Sequence, residues 1–368
     1  MSRTGELPCG ACLRRTWLVS ALAAHIEQLG GRIDDQRALF ALDDLKLVDA
    51  LTRPGKRRLQ VRQGYETFQP AGARRRCRAA GLTALCRHDA RYPRPLLEMA
   101  DAPAVLHVAG SLAPLDLDAA PAVAIVGARR ASGYGLEVAR SLGRGLATAG
   151  LTVISGMALG IDAAAHEGAL EAQGSTIAVL AGAAEIPYPA SKRSLHARVR
   201  RNGAVISELP PGFRARRWCF PARNRVIAGL ARLTVVVEAA ERSGALITTK
   251  VAGDLGRDVG AVPGRITSPL ATGPNALIGD GAALISGAQK ALDVACGVGM
   301  RVADPGRTPS LAPRLRRVLL AVASGTDTPA ALVASGVSPA DAVAGLGELE
   351  LHGLLRRSLD GRYLPVAP

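Results

Sequence analysis

Three glycine-bearing stretches and one run of arginines hold the residue types in this sequence that could do chemistry on a polyanion. Gly127-Ala128-Arg129-Arg130-Ala131-Ser132-Gly133, Ser155-Gly156-Met157-Ala158-Leu159-Gly160 and Ser243-Gly244-Ala245 each stand where an apolar run gives way to a helical pattern. Such a turn aims backbone N–H groups and the positive end of a helix dipole at an anion, so each is a candidate phosphate cradle. The first adds Arg129, Arg130 and the hydroxyl of Ser132. Neither G-x-G-x-x-G with a later acid nor G-x-x-x-x-G-K-[ST] is present, so no nucleotide cofactor is expected. Between residues 186 and 237 lie eleven Lys or Arg, among them Lys192, Arg217, Arg223 and Arg225, against one acid, Glu208. A surface selected only for solubility mixes signs, whereas a one-signed strip concentrates phosphate groups. Aromatic residues make up 3% of the chain, yet Phe213, Trp218 and Phe220 all fall inside this strip. Rings interleaved with guanidiniums suit a single strand, whose unpaired bases stack at roughly 1–3 kcal/mol each while the arginines hold phosphates.

Residues suited to catalysis are sparse. Asp162 and His166 stand one helical turn apart and could share a face for acid–base work, but a buried structural hydrogen bond is the favoured reading. No Ser-His-Asp set or H-E-x-x-H occurs. Cys9-x-x-Cys12 is a half-site that Cys77 and Cys86 could complete as a zinc centre; the reading adopted is free thiols and no metal. These absences favour a binding protein over an enzyme.

The elements that must position the basic strip are legible from pattern. From residue 122 onward, seven short apolar runs (AVAIVG, LTVIS, TIAVLAG, AVIS, LTVVVE, DVGAV and AALIS) alternate with helical stretches, which predicts an α/β fold: a Rossmann-like, doubly wound parallel sheet over residues 81–297. Before it, residues 1–80 read as a small helical module of sterile-alpha-motif or helix-hairpin-helix type, with apolar periodicity over 13–52 broken at Gly30-Gly31. Residues 53–78, with nine Lys or Arg against one Glu, read as a solvated helix face. A Gly- and Pro-rich linker, 298–310, leads to residues 311–368, where three helical stretches and a hairpin turning at Asp360-Gly361 suggest a winged helix. Its third stretch, 338–353, holds Asp341, Glu348 and Glu350 and no Lys or Arg, so a weak duplex-DNA role is expected. The whole chain carries 46 Lys and Arg against 31 Asp and Glu, a net charge of +15, which points to nucleic acid ahead of a membrane. Residues 14–24 only loosely imitate a signal peptide and no run approaches the roughly 20 apolar residues of a membrane span, so a cytoplasmic location is expected.

These motifs together resemble the DNA-processing protein A (DprA, or Smf) recombination mediators of bacteria. The resemblance rests on Gly127-Ala128-Arg129, on SGMALGID through His166, on SELPPG (207–212), on FPARNRVIAGL (220–230), on SGALITT through VPG (243–264) and on Gly273-Pro274-Asn275-Ala276-Leu277-Ile278. Ala128 departs from the Ser or Thr usual in that family's first loop. The resemblance implies a protein that binds and protects single-stranded DNA during natural transformation and helps load the RecA recombinase. It implies DNA contacts at Gly127, Arg129, Arg217, Phe220, Arg223, Asn224 and Arg225, to which charge and glycine placement add Arg130, Ser132, Gly156, Lys192, Ser243 and Gly244. It also implies a homodimer, with Leu277 and Ile278 as interface residues. A competing reading is a nucleoside monophosphate phosphoribohydrolase of the LOG type, which has a similar sheet; its P-G-G-x-G-T loop is missing where residues 238–245 read EAAERSGA.

Overall fold

Runs of four to six Val, Ile, Leu and Ala between glycine turns are too short for helices and apolar on both faces, which suits strands covered on both sides. The computed structural model describes residues 7–29, 33–298, 313–323, 325–351, 354–358 and 361–365. In it these runs become β3 to β9 of a series that begins with β1 (Thr83–Cys86) and β2 (Val105–Gly110). The others are β3 (Ala122–Val126), β4 (Thr152–Ser155), β5 (Thr176–Val179), β6 (Ala204–Ser207), β7 (Leu233–Val236), β8 (Asp258–Ala261) and β9 (Ala283–Leu284). They form one sheet in the order β1-β2-β6-β5-β4-β3-β7-β8-β9. The seven from β3 to β9 are parallel, so the predicted Rossmann-like α/β class is borne out.

Sequence pattern missed β1 and β2, which extend the sheet with two antiparallel pairings, β1 to β2 and β2 to β6. The reason is local. β1 is four residues long and follows directly on the helix Pro70–Ala79, and β2 carries His107 in its interior, which reads as a polar interruption. That imidazole is 1% exposed, and burial lowers its pKa to about 4, so it sits in the core as a neutral ring.

The sheet order fixes where a ligand can enter. From β3 the chain moves outward through β4, β5 and β6, then returns to lay β7 on the other side of β3. At this reversal the helices leaving β3 and β7 lie on opposite faces, and their N-termini open a crevice at the strands' carboxyl ends. The first helix, Gly133–Thr148, packs closely on Ile161–Glu171 because Gly143 and Gly168 let backbone meet backbone: a Cβ at either would overlap the carbonyl of Ala165 or of Arg140.

Among the described residues six helices precede the sheet: Gly10–Ala21, Ala23–Gln28, Ile33–Ala41, Asp44–Leu51, Lys56–Glu66 and Pro70–Ala79. Residues 1–300 nevertheless pack as a single compact unit. Leu18, Leu22, Ile26, Phe40 and Leu47 share an apolar cluster with Trp218, Cys219 and Ala222 of the basic strip. The segment that imitates a signal peptide is thus a helix of the core, and the basic stretch 53–78 takes up two helices; Gly30 and Gly31 lie outside the described residues. Among the described residues no helix is long and apolar enough to cross a membrane.

A second unit spans residues 301–368. Helices Pro313–Ala323, Pro329–Ala334 and Pro339–Leu351 enclose Leu315, Val318, Leu332, Leu346 and Leu349. β10 (Leu355–Arg357) pairs antiparallel with β11 (Tyr363–Pro365). Asp360, at the expected turn, and 299–310 of the expected linker lie outside the described residues.

Candidate nucleic-acid interface

The crevice is built from the turns after β3, β4 and β7 and from the helix Cys219–Leu230. Gly127 lets the first turn approach the third. A Cβ there would stand 2.7 Å from Ile161 Cγ1 and 2.8 Å from the Glu238 carbonyl oxygen, and the Ala128 N–H donates to that oxygen at 2.6 Å. Ser132 caps the helix Gly133–Thr148 by accepting from the Gly135 N–H. Its own N–H and hydroxyl both donate to the Glu238 carboxylate, at 2.9 and 2.5 Å. The positive end of this helix is therefore filled by an acid of the chain itself.

The second turn repeats the device. Asp162 Oδ2 accepts from the N–H groups of Gly156 at 3.1 Å and Ala158 at 3.3 Å. Burial pushes this carboxyl above its usual range, while the nearby charges of Arg223 and Arg129 pull the other way. Two of the three expected phosphate cradles thus already hold a carboxylate, and Ser132 and Gly156 spend their donors internally. The third stays open: Gly244 is exposed, nothing stands within contact of a Cβ built on it, and it begins the helix Ala245–Asp254.

What faces solvent around these filled turns is basic and aromatic. Arg129 and Arg130 are exposed. The Arg129 guanidinium lies over the Phe220 ring, 5.2 Å from its centroid, and the Tyr188 ring lies tilted against Phe220 with centroids 5.4 Å apart. A hollow of about 220 Å³ runs from this stack to the open third turn, lined by Gly127, Arg129, Phe220, Asn224, Ser243 and Gly244. The Asn224 amide donates to the Gly244 carbonyl at 3.1 Å, tying the two walls together. Arg217, exposed at the start of the same helix, continues the basic rim beside Arg214 and Arg216.

Two arginines of the strip do something else. Arg223 is 7% exposed and donates from one nitrogen to the carbonyls of Gly156 and Val179, both at 2.6 Å. Burial lowers its pKa to about 10. Arg225 is 1% exposed, donates to Glu208 Oε2 at 2.5 Å, lies 3.6 Å from Asp101 Oδ2 and stacks 4.9 Å from the centroid of Phe40. Arg225 is not free to reach a backbone phosphate as the sequence reading expected, whereas Arg223, though largely buried, still lines the hollow beside Arg129 and Phe220. Arg223 pins the turn after β4 to β5, and Arg225 pins the basic strip to the N-terminal helices. Trp218, 2% exposed and ringed by Phe40 and Phe213, likewise belongs to the core. Lys192 is half-buried and faces Glu167 at 3.6 Å. Leu277 and Ile278, both partly buried, sit on the helix Thr272–Gly279, where Leu277 lines an open groove away from the crevice.

Asp162 and His166 do not form a pair. His166 Nδ1 faces the Thr176 hydroxyl at 2.7 Å, and burial lowers its pKa to about 3, so it is a neutral core group. Sequence reasoning missed Tyr188, whose ring extends the Arg129–Phe220 stack. Its signal was available: in a chain this poor in aromatics, Tyr188 lies just inside the same basic strip. The structural hydrogen bond expected at Asp162 is present, four and six positions from its partners, but sequence reasoning missed Glu238, 106 positions from Ser132, for which no local signal exists.

A model of the family described as DNA recombination-mediator protein A matches residues 83–295. The chain belongs to that family. It is 35% identical to the putative DNA processing protein DprA of Mycobacterium tuberculosis over 384 aligned positions, covering 99% of this chain and 92% of that one. Among solved structures it is similar to DNA processing protein A of Streptococcus pneumoniae, with TM-score 0.61 and 33% identity over 76% of this chain and 95% of that one. A second likeness, with TM-score 0.52 and 27% identity, covers 58% of this chain and 94% of DNA processing protein A from Helicobacter pylori, a structure described for its single-stranded DNA binding mode. Family membership places the chain in DNA processing and recombination. It does not favour the phosphoribohydrolase reading.

Proposed function

We propose that this chain binds single-stranded DNA along the rim of the switch-point crevice, acts as a homodimer, protects the strand and promotes RecA loading, as a binder and not a catalyst. The observation that carries the reading is the exposed Arg129 stacked on Phe220, with Tyr188 beside it and the open helix start at Ser243-Gly244 across the hollow. A base can lie on a ring while a guanidinium and backbone amides take the flanking phosphates. The single-stranded binding mode described for the Helicobacter pylori protein supports the same assignment. The acidic third helix of the second unit, with Glu348 paired to Arg314 at 2.9 Å, favours a protein partner over duplex DNA for that unit.

The test is a fluorescence-anisotropy titration of a labelled oligonucleotide, single-stranded and duplex, at two salt concentrations. Wild type should prefer the single strand, with log K falling by about 0.7 per log unit of salt for each neutralised phosphate. Arg129→Ala should weaken binding and lower that slope by about one phosphate's worth while leaving the melting temperature unchanged, because exposed substitutions cost within about 0.5 kcal/mol. Equal affinity of wild type and Arg129→Ala for the oligonucleotide at both salts would refute the reading.

A further inference from the structure

The N-terminal Cys-x-x-Cys half-site is completed in space by residues far along the chain. Cys9 caps the helix Gly10–Ala21, Cys12 lies in its first turn, Cys86 ends β1 and His88 sits in the turn that follows. His88 Nδ1 stands 3.5 Å from the sulfurs of both Cys9 and Cys12. The Cys9 N–H points at Cys86 Sγ at 3.5 Å, and the Cys12 N–H at Cys9 Sγ at 3.4 Å. One ligand atom from each of the four residues lies within 4.8 Å of every other. We propose that Cys9, Cys12, Cys86 and His88 form a structural zinc site that clips the first helix to the edge strand of the sheet.

Three features separate this from thiols packed together by chance. The distances are those of a tetrahedral centre: metal–sulfur bonds of about 2.3 Å and metal–nitrogen bonds of about 2.0 Å put sulfur and nitrogen about 3.5 Å apart. Cys77, buried in the same apolar cluster as Cys12 and Cys86, lies outside the four-atom group, so apolar packing alone does not select its members. His88 is exposed, yet its Nδ1 faces the sulfurs of both Cys9 and Cys12. The ligand set also fits. Three soft thiolates and an imidazole select zinc among common divalent ions, and backbone N–H groups directed at ligand sulfurs are what thiolates need to spread their charge. Three thiolates on a divalent ion leave one net negative charge, which Arg87, next in the chain to Cys86, is placed to offset. Cys9 and Cys86 are 77 residues apart in the chain, so the ion would close the whole N-terminal module onto the sheet. Among the described residues this is the one such gathering of ligands.

Full-length protein, expressed with zinc and purified under reductant without chelator, should carry about one zinc per chain by elemental mass spectrometry, as a closed four-ligand site predicts. The combined Cys12→Ser and Cys86→Ser variant should lose it, and Cys77→Ser should keep it. Because the double variant could fail to fold, two further measurements carry the test. Cobalt replacing zinc in the wild type should give the intense d–d bands of a tetrahedral site with a thiolate charge-transfer band. His88→Ala, at an exposed position, should stay folded while binding zinc more weakly against a chromophoric chelator. Reduced wild type that takes up neither zinc nor cobalt, a Cys9–Cys12 disulfide in protein isolated from cells, or metal content indifferent to both Cys86 and His88 would overturn the assignment. None of these readouts involves DNA, so the site stands or falls apart from the function proposed above.

Discussion

Replacing Arg225 by Ala separates a buried tie from a nucleic-acid contact more sharply than any other change to the basic strip. The guanidinium is 1% exposed and faces Glu208 at 2.5 Å and Asp101 at 3.6 Å. Asp101 would keep Arg37, 3.4 Å away, whereas Glu208 would lose the one ion-pair partner it has among the described residues. A buried carboxylate left alone takes up a proton. Neutralising a carboxyl of ordinary pKa near 4.3 at pH 7 costs about 3.7 kcal/mol, at 1.36 kcal/mol per unit. That agrees with the roughly 3–5 kcal/mol measured when one partner of a buried pair is removed. In a unit of this size the loss should lower the melting temperature by roughly 6–10 °C. The same reasoning fixes the pH dependence of the difference. In the variant Glu208 is protonated when folded and ionised when unfolded, so lower pH stabilises the folded variant relative to wild type, and at pH 5 the deficit should shrink to about 1 kcal/mol. Adding Glu208→Gln to Arg225→Ala should restore stability at pH 7 and abolish this pH effect. The assay is urea unfolding at pH 7 and pH 5, with oligonucleotide affinity measured in parallel well below the melting temperature. A variant within 1 kcal/mol of wild type that loses affinity for single strands would refute the reasoning and return Arg225 to the DNA-contacting set.

Two other outcomes follow from groups already described. His107 and His166, whose pKa values burial lowers to about 4 and about 3, refuse protons that the unfolded chain accepts near pH 6.5. Their stabilising contribution is complete above that pH and is lost as pH falls, by roughly 2 kcal/mol each at pH 5. Thermal melts between pH 7 and 5 should show this loss, with the raised carboxyls of Asp162 and Glu208 working in the opposite direction, so the readout is the difference between wild type and His166→Gln; a difference that does not change with pH would argue against a neutral buried ring at His166. Leu277→Arg, on the partly buried face of the helix Thr272–Gly279, should shift sedimentation from dimer to monomer and weaken binding to long oligonucleotides more than to short ones. A variant that sediments like wild type would remove this helix from the proposed interface.

Much of the sheet could be read from the chain because parallel strands buried on both sides leave largely apolar runs, unbroken in residues 122–126. The same rule hid β2, where a buried imidazole breaks the run. Glycine turns before helices marked the crevice correctly, since that chemistry is local. Which arginines reach solvent was not local. Arg217 and Arg225 are eight positions apart in one strip and meet opposite fates, because Asp101 and Glu208, brought in by other segments, capture the second. Trp218 went the same way once Phe40, from the N-terminal helices, supplied a ring to pack against. The histidine of the proposed zinc cluster was equally hidden, since a lone His88 two positions beyond Cys86 carries no metal-binding signature until the helix Gly10–Ala21 lies beside it.

The carboxylates of Glu238 and Asp162 also bear on selectivity. Glu238 sits where a nucleotide-binding member of this fold class seats its pyrophosphate, and Asp162 fills the next turn in the same way. An intramolecular group competes at an effective concentration of millimolar or higher, so a free mononucleotide must displace a competitor that never diffuses away. A polymer lying along the rim has no such rival, because its many weak contacts avoid the filled turns. The architecture of a nucleotide-binding domain is thus kept with its first phosphate turn filled from within, which under the proposed function would let occupancy follow exposed strands and not the free nucleotide pool.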